Sequence, residues 1–149
     1  MKHIAYIENP VSWEEEFSFY IPIKIRFSET DMFGHMNNVS PFIYFEEARI
    51  EYFKQIGLFN DFSKSDVVPV VADLQCDYIE QIFFDDVIDL YVKANRVGTS
   101  SLDIHYMAKN KAGRICLTGR GSVVHINKHS GKAVPLKEAD KEKIYALQN

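Results

Sequence analysis

The sequence predicts an α+β fold in which one strongly apolar helix packs against a single antiparallel sheet. Two observations lead to this prediction. A long apolar segment with helical spacing covers residues 40–57, and four segments with strand character follow it. The connections between the last of these strands have hairpin length, which indicates antiparallel pairing. One helix that must bury its apolar sides then lies against one sheet.

Residues 1–18 form a mixed N-terminal lead-in, in which we expect Trp13 and Phe17 to pack. Residues 19–28 are predicted to be the first strand, with alternating isoleucines. Pro22 lies early in this strand, which suits an edge position because proline cannot donate to a ladder. A polar turn over residues 29–38 follows.

The central helix is predicted over residues 40–57. Ser40 can cap it, Pro41 suits the first helical position, and Gly57 ends it. Apolar residues occur on most sides of this helix, which predicts burial over much of its circumference. The residues at helical spacing are Phe42, Phe45, Ala48, Tyr52, Phe53 and Ile56.

The remaining strands bring the predicted sheet to five strands. They cover residues 67–81, 86–97, 101–109 and 114–127, and a charged amphipathic helix is predicted over 136–147. We therefore place the folded domain at residues 19–137 and a helical tail at 138–149. An open sheet of this kind leaves an edge, and pairing of edges across a two-fold axis is a common remedy, so we expect a homo-oligomer.

Composition excludes several classes of protein. The chain has 149 residues, a length typical of one domain, and its 46% hydrophobic content is enough for a core. The formal charge of −4, without long basic runs, argues against nucleic acid as the main partner. No stretch reaches 18 consecutive apolar residues, and the N-terminus lacks an apolar run of signal length, so we expect a cytoplasmic protein without a membrane span.

The cysteines and histidines give no metal-binding pattern. Cys76 and Cys116 share no metal-ligand spacing, and no histidine pair has such a spacing on one element. The two cysteines are expected to be small buried residues in strands. We therefore predict no metal site.

The turn before the helix carries the clearest chemical signal. It contains Asp31, Gly34, His35, Asn37 and Asn38 within eight residues, immediately before the helix begins. The unpaired N–H groups at a helix N-terminus can receive negative charge that develops on a carbonyl oxygen. From the residues alone, Asp31 is either such a catalytic carboxylate or an ordinary turn or cap residue.

The pattern Thr30-Asp31-x-x-Gly34-His35-x-Asn37-Asn38, followed by a helix containing Glu46-Glu47-Ala48-Arg49, resembles the hot-dog-fold acyl-CoA thioesterases of the 4-hydroxybenzoyl-CoA thioesterase type. The resemblance implies a hot-dog fold, an antiparallel sheet wrapped around a long central helix. It also implies a homodimer or a dimer of dimers (a homotetramer), with active sites at the dimer interface.

The resemblance also implies roles for individual residues. Asp31 would be the catalytic carboxylate, acting as nucleophile or as general base for water, and the backbone N–H of Asn38 would polarise the thioester carbonyl. Gly34 would permit the tight turn. His35 would contact the thioester or hold the loop. Asn37 would bind substrate or close the turn.

Other residues are candidates for binding the substrate. Glu47 and Glu46 lie on the central helix, from which a second branch of hot-dog thioesterases draws its carboxylate, so they are rivals of Asp31. The hairpin Gly98, Thr99 and Ser100 could admit the pantetheine arm, although hairpin geometry explains these residues equally well. The phosphates of coenzyme A would need a basic group, and the candidates are Arg96, Lys128 and Lys132.

The function predicted from the sequence is hydrolysis of an acyl-CoA thioester to a free carboxylic acid and coenzyme A. No cofactor is expected, because coenzyme A is part of the substrate. Three alternatives stay open. The first is a thioesterase acting on an acyl-carrier protein, which the acidic net charge slightly disfavours; the second is a non-catalytic acyl-CoA-binding module; the third is a dehydratase of the same fold.

Overall fold

One antiparallel sheet curls around a single long helix. The structure is a computed structural model, and it describes residues 1–58 and 64–148. Within these residues the elements are α1 (Pro10–Glu15), β1 (Phe19–Lys24), a 3₁₀ turn (Phe27–Glu29), α2 (Ser40–Ile56), β2 (Val67–Val71), β3 (Gln75–Tyr78), β4 (Val87–Val97), β5 (Ser101–Lys109), β6 (Ile115–Asn127) and α3 (Glu138–Gln148). The predicted α+β class and the helix-in-sheet arrangement are confirmed.

The strands follow the order β1-β4-β5-β6-β2, and β3 also pairs with β6. Val67 of β2 lies opposite Asn127, at one end of β6, and Tyr78 of β3 lies opposite Leu117, near the other end. β2 and β3 thus line the same side of β6 and together form one edge of the sheet.

The described residues contain six strands, whereas the sequence predicted five. The predicted strand over residues 67–81 is divided at residues 72–74. Here the Asp73 carboxylate accepts the backbone N–H of Ser122 at 2.6 Å. Gly121 allows this approach, because a Cβ at that position would lie 2.5 Å from the Asp73 carbonyl oxygen. The Asp73 side chain thus takes the place of a backbone partner for the Ser122 N–H, and the predicted strand is interrupted between β2 and β3.

Helix α2 forms where its sequence predicts, but the predicted cap is wrong: Val39 is the N-cap residue and makes no side-chain cap bond. Ser40 is the first residue of the helix, and its hydroxyl donates to the Glu29 carbonyl at 3.3 Å. Pro41 lies in its first turn, and Gly57 follows its last residue with φ 77°, in the left-handed region that glycine adopts readily. Phe45 is fully buried and stacks on Tyr106 of β5, with ring centroids 4.3 Å apart. The helix is less enclosed than predicted, because Ile43 is 59% exposed on the opposite side.

The outer face of the sheet is covered by the N-terminal segment. Trp13 and Phe17 are buried there, as predicted, and they pack with Met107 of β5. The Lys93 ammonium is also buried in this layer and donates to the Trp13 carbonyl at 3.1 Å. The lead-in is therefore an ordered second layer with its own helix, α1. Helix α3 lies against α2 and β4, with Ile144 fully buried.

Candidate active site

The loop between the 3₁₀ turn and α2 closes on itself around Asp31. The Asp31 N–H donates to the His35 carbonyl at 2.8 Å, and the Gly34 N–H donates to the Asp31 carbonyl at 3.1 Å. The carboxylate oxygen Oδ1 of Asp31 accepts the N–H groups of Phe33 (2.9 Å) and His35 (3.2 Å). Gly34 has φ 79°, which a residue with a Cβ adopts only with strain. Asp31 is exposed, with one carboxylate oxygen held by the loop.

The loop is fixed to the segment that precedes β4. The Met36 N–H donates to the Ile82 carbonyl at 2.6 Å, and the Phe84 N–H donates to the Gly34 carbonyl at 3.2 Å. The His35 ring meets the edge of the Phe83 ring, with centroids 5.0 Å apart. Backbone bonds and one aromatic contact thus place His35 beside Asp31.

A buried carboxylate, Glu29, anchors the loop through hydrogen bonds to residues on both sides of it in sequence. It accepts two hydrogen bonds from the Arg26 guanidinium, at 3.0 and 2.6 Å, and one from the Tyr44 hydroxyl of α2 at 2.9 Å. The bonds from Arg26 hold the pKa of Glu29 below its usual value. The Glu29 carbonyl also accepts the Asn37 N–H at 2.7 Å. Glu29 was not among the residues predicted from the sequence. Its signal there was an acidic residue three positions after Arg26, a spacing at which two side chains can meet on a helical turn.

The backbone N–H of Asn38 differs from its neighbours. Each N–H from His35 to Asn37 has an acceptor, as described above. The Val39 N–H donates to the Asn37 side-chain oxygen at 3.1 Å, and the Ser40 N–H donates to the Asn37 carbonyl at 3.0 Å. Asn37 thus closes the turn, one of the two roles expected for it. In the part of the chain that the structure describes, the Asn38 N–H alone in this run has no acceptor.

The candidate substrate-binding hairpin lies at the other end of the sheet. The Ser100 carbonyl accepts the His125 N–H, and the Thr99 carbonyl accepts the Leu136 N–H, both at 2.8 Å. The Lys132 carbonyl accepts the Asn127 N–H at 2.9 Å, so Lys132 lies near the hairpin Gly98–Ser100.

Within one chain this hairpin is remote from the loop that contains Asp31. Both groups can be located along β6. Ser101, next to the hairpin, pairs with Val124. Tyr78, whose hydroxyl bonds the Asn38 carbonyl of the loop, pairs with Leu117. Seven residues of strand correspond to roughly 23 Å. One copy of the chain therefore brings Asp31, Gly34, His35, Asn37 and Asn38 together, and Gly98, Thr99, Ser100 and Lys132 together, as two separate groups.

The sequence matches the thioesterase-like superfamily over residues 25–144. The chain belongs to this superfamily. It is 47% identical over 145 residues to the uncharacterized protein YsmA of Bacillus subtilis, with 97% of each chain covered.

Solved structures agree with this membership. A thioesterase from Thermus thermophilus, complexed with coenzyme A and Zn, is 31% identical with a TM-score of 0.78, over 90% of this chain and 96% of that one. A protein named as a predicted thioesterase from Bacillus stearothermophilus is 29% identical with a TM-score of 0.76, over 86% and 94%. These matches confirm the hot-dog thioesterase resemblance and support thioester hydrolysis as the general chemistry.

Around the loop, this thioesterase-like chain exposes large apolar side chains. Met32 is 90% exposed, Phe33 is 74% exposed and Phe27 is 78% exposed. Phe83 and Phe84 are also exposed, and Phe84 meets the Phe27 ring edge-on at 5.8 Å. Exposed apolar side chains grouped in this way are typical of a surface that binds a ligand or another protein.

Within the described residues, the two helix carboxylates, Glu46 and Glu47, form no hydrogen bond with the Asp31 loop, although Glu47 lies beside its anchor Glu29. Glu47 is exposed and lines a cavity of about 260 Å³ with Arg26, Glu29 and Tyr44. Glu46 is exposed, and Arg49 is buried and donates to the Tyr106 hydroxyl at 3.0 Å.

The basic candidates lie near the hairpin. Arg96 lines a cavity of about 340 Å³ together with Gly98 and Ser101. Neither Arg96 nor Lys132 has a carboxylate partner among residues 1–58 and 64–148. Lys128 lies on the same side, with its backbone N–H donating to the Asp66 carbonyl at 2.8 Å.

No group of three or more histidine, cysteine or acidic side chains in the described residues is arranged to hold a metal ion. None of the described helices is long and apolar enough to cross a membrane.

Proposed function

We propose that this chain hydrolyses acyl-CoA thioesters to a carboxylic acid and coenzyme A, with Asp31 and the Asn38 N–H as its central groups. The observation that carries the proposal is the Asn38 N–H. Among the described residues it is the one backbone N–H between His35 and Ser40 without a protein acceptor, and it lies at the entry to α2, on the same loop as Asp31. A donor of this kind is suited to a carbonyl oxygen that becomes negative in the transition state.

The chemistry follows from these two groups. Asp31 either attacks the acyl carbon directly or removes a proton from the attacking water. The carbonyl oxygen gains negative charge, which the Asn38 N–H and the positive end of the α2 dipole stabilise. The C–S bond then breaks and coenzyme A leaves as a thiolate. When Asp31 acts as the base, the thiolate takes the proton that Asp31 removed from water. When Asp31 acts as the nucleophile, water then cleaves the mixed anhydride on Asp31, which releases the carboxylic acid and supplies the proton for the thiolate. Removal of one such donor typically costs about 3 kcal/mol of transition-state stabilisation.

The surroundings of Asp31 support an apolar acyl group. Met32, Phe33 and Phe83 are exposed beside the carboxylate, and the His35 ring contacts the rings of both Phe33 and Phe83. An acyl chain lying across these side chains would cover them and exclude water from the thioester. His35 then serves to hold the loop and to line the acyl site.

The arrangement of the sheet edge supports a dimer that completes the site. β2 and β3 leave their outer edge unpaired within the described chain, and β2 consists of four valines and Pro69. A two-fold axis near residues 72–74 would pair this edge with its copy. Tyr78 of one protomer would then lie beside the end of its partner at which Gly98–Ser100 and Lys132 meet. Each site would combine one protomer's Asp31 with its partner's coenzyme-binding hairpin, in a homodimer or a dimer of dimers.

Turnover of a panel of acyl-CoA substrates, followed by release of the coenzyme A thiol, tests this function. We expect hydrolysis by the unaltered protein and a loss of at least about a hundredfold in kcat for Asp31→Asn. Asp140→Asn, in the tail helix α3, is the matched control and should retain full activity.

Three outcomes would contradict the proposal. Tight binding of acyl-CoA without thiol release would indicate a binding module. Activity that survives in Asp31→Asn but is lost in Glu47→Gln or Glu46→Gln would place the catalytic carboxylate on α2. Hydrolysis of acyl-carrier-protein substrates alone would change the substrate class.

A further inference from the structure

We propose that Tyr78 is a positioning residue, which holds the entry to α2 so that the Asn38 N–H points at the thioester oxygen. This inference rests on the proposed function. Its basis is a single contact across the molecule: the Tyr78 hydroxyl donates a hydrogen bond to the backbone carbonyl of Asn38, forty residues away in sequence.

The peptide groups around Asn38 are held mainly by hydrogen bonds rather than by packing. Asn38 is exposed, and Val39 is 58% exposed, so neither side chain fixes the backbone in a core. On the preceding side, the Asn37 N–H is bound by the buried anchor Glu29 at 2.7 Å. On the following side, the Asn38 carbonyl is bound by Tyr78. These two bonds fix the peptides on either side of the one that carries the Asn38 N–H, and so restrict its rotation.

Tyr78 is well placed to act as a rigid support. It is the last residue of β3, and its backbone pairs with Leu117 of β6. The hydrogen bond therefore joins the start of the helix to the sheet. Displacement of a catalytic group by about 1 Å can cost up to a hundredfold in rate, so a support of this kind contributes to catalysis without touching the substrate.

The phenol does not need to take part in the chemistry. Burial raises the pKa of Tyr78 to about 12, so the hydroxyl is protonated at neutral pH. Its proton is donated to the Asn38 carbonyl, and a protonated phenol that is already donating cannot act as a general base. Its contribution is therefore made through Asn38.

The variant Tyr78→Phe removes one oxygen atom and tests the inference. We expect kcat to fall about tenfold while KM changes less than about twofold. The matched control is Tyr145→Phe, at an exposed position on α3, which should leave both constants unchanged. A thioether analogue of the substrate, with CH₂ in place of the carbonyl, should bind equally well to both variants because it has no oxygen for the Asn38 N–H.

The backbone ¹⁵N–¹H signal of Asn38 provides a readout that does not depend on activity. It should shift in Tyr78→Phe and stay in place in Tyr145→Phe. If either the Asn38 signal or kcat is unchanged in a folded Tyr78→Phe protein, the inference is wrong. Weaker binding of the thioether would also overturn it, because Tyr78 would then contact the substrate.

Asp31→Asn, measured in parallel, separates this inference from the proposed function. Loss of turnover in Asp31→Asn with full turnover in Tyr78→Phe refutes only the role of Tyr78. Full turnover in Asp31→Asn refutes the proposed mechanism itself, and the role of Tyr78 with it.

Discussion

The indole N–H of Trp13 donates a hydrogen bond to Nδ1 of His105, 2.8 Å away in the layer between the N-terminal segment and the sheet. An indole nitrogen can only donate, so Nδ1 of His105 must accept and carry no proton. The proton then lies on Nε2, which is 2.9 Å from the Asp103 carboxylate. This contact ties the lead-in to β5 and requires a neutral imidazole.

The Trp13–His105 contact predicts a loss of stability in mild acid. Burial is the main cause that lowers the pKa of His105 from 6.5 to about 4. Because the pKa is lowered in the folded state, the contribution of neutral His105 to the free energy of unfolding is complete above pH 6.5. It decreases as the pH falls towards 4. The difference between the two pKa values corresponds to a loss of about 3 kcal/mol in the free energy of unfolding. Denaturant unfolding at several pH values across this range measures it.

The control for this measurement is His105→Gln, whose amide can accept from Trp13 and donate to Asp103 without titrating. Subtracting its pH profile removes the contribution of the carboxyl groups. Identical slopes for the two proteins would show that His105 is not the titrating group.

Replacement of the loop anchor should destabilise the protein. In Glu29→Gln the charged hydrogen bonds from Arg26 are lost, and we expect the free energy of unfolding at neutral pH to fall by about 2 kcal/mol. The loop that carries Asp31 loses an anchor, so kcat should also decrease. The pKa of Glu29 is lowered from its ordinary value of 4.5. The difference in free energy of unfolding between the unaltered protein and Glu29→Gln should therefore be complete above pH 4.5 and disappear as the pH falls further below it. Chemical denaturation with parallel assays provides the measurement.

Glu51→Gln is the matched control, since Glu51 forms an exposed pair with Lys54 on α2. Exposed pairs contribute little, so a change below about 0.5 kcal/mol is expected. An equal effect of the two substitutions would mean that Glu29 is not an anchor.

Gly119 of β6 should tolerate no larger residue while Phe45 is present. A Cβ at this position would lie 2.5 Å from Cζ of the Phe45 ring. We expect Gly119→Ala to destabilise the protein by about 2 kcal/mol through overpacking. In the double variant with Phe45→Leu, part of this cost should be recovered, because the smaller side chain makes room. Thermal unfolding of the single and double variants measures the coupling, and strictly additive effects would argue against direct contact.

The sequence was most informative where local signals and packing agree. Pro41 and Gly57 marked helix α2 to within one residue, and the Asp31–Asn38 pattern marked a loop that does close around Asp31. The division of the strand at Asp73 was missed, because it depends on a side-chain contact with Ser122, far along the chain.

The supports of the candidate site were missed for the same reason. Glu29 is ordinary in sequence and important only because Arg26, Tyr44 and Asn37 converge on it. Tyr78 bonds the Asn38 carbonyl, which is forty residues away in sequence. Periodicity reports which face of an element is buried, but it does not report which distant backbone group a polar side chain reaches.

The separation between Asp31 and Lys132 within one chain predicts complementation between two inactive variants. Asp31→Asn removes the carboxylate from its own protomer, and Lys132→Glu reverses the charge that we assign to the coenzyme-binding end. If each site takes Asp31 from one protomer and Lys132 from its partner, a heterodimer of these variants has one intact site and one that carries both defects. An equal mixture that exchanges subunits freely contains half heterodimers, so activity should recover to about a quarter of that of the unaltered protein. Mixing after mild denaturation, with each variant refolded alone as the control, provides the measurement. If both groups served the same protomer's site, every site in the mixture would carry one defect and no activity would return.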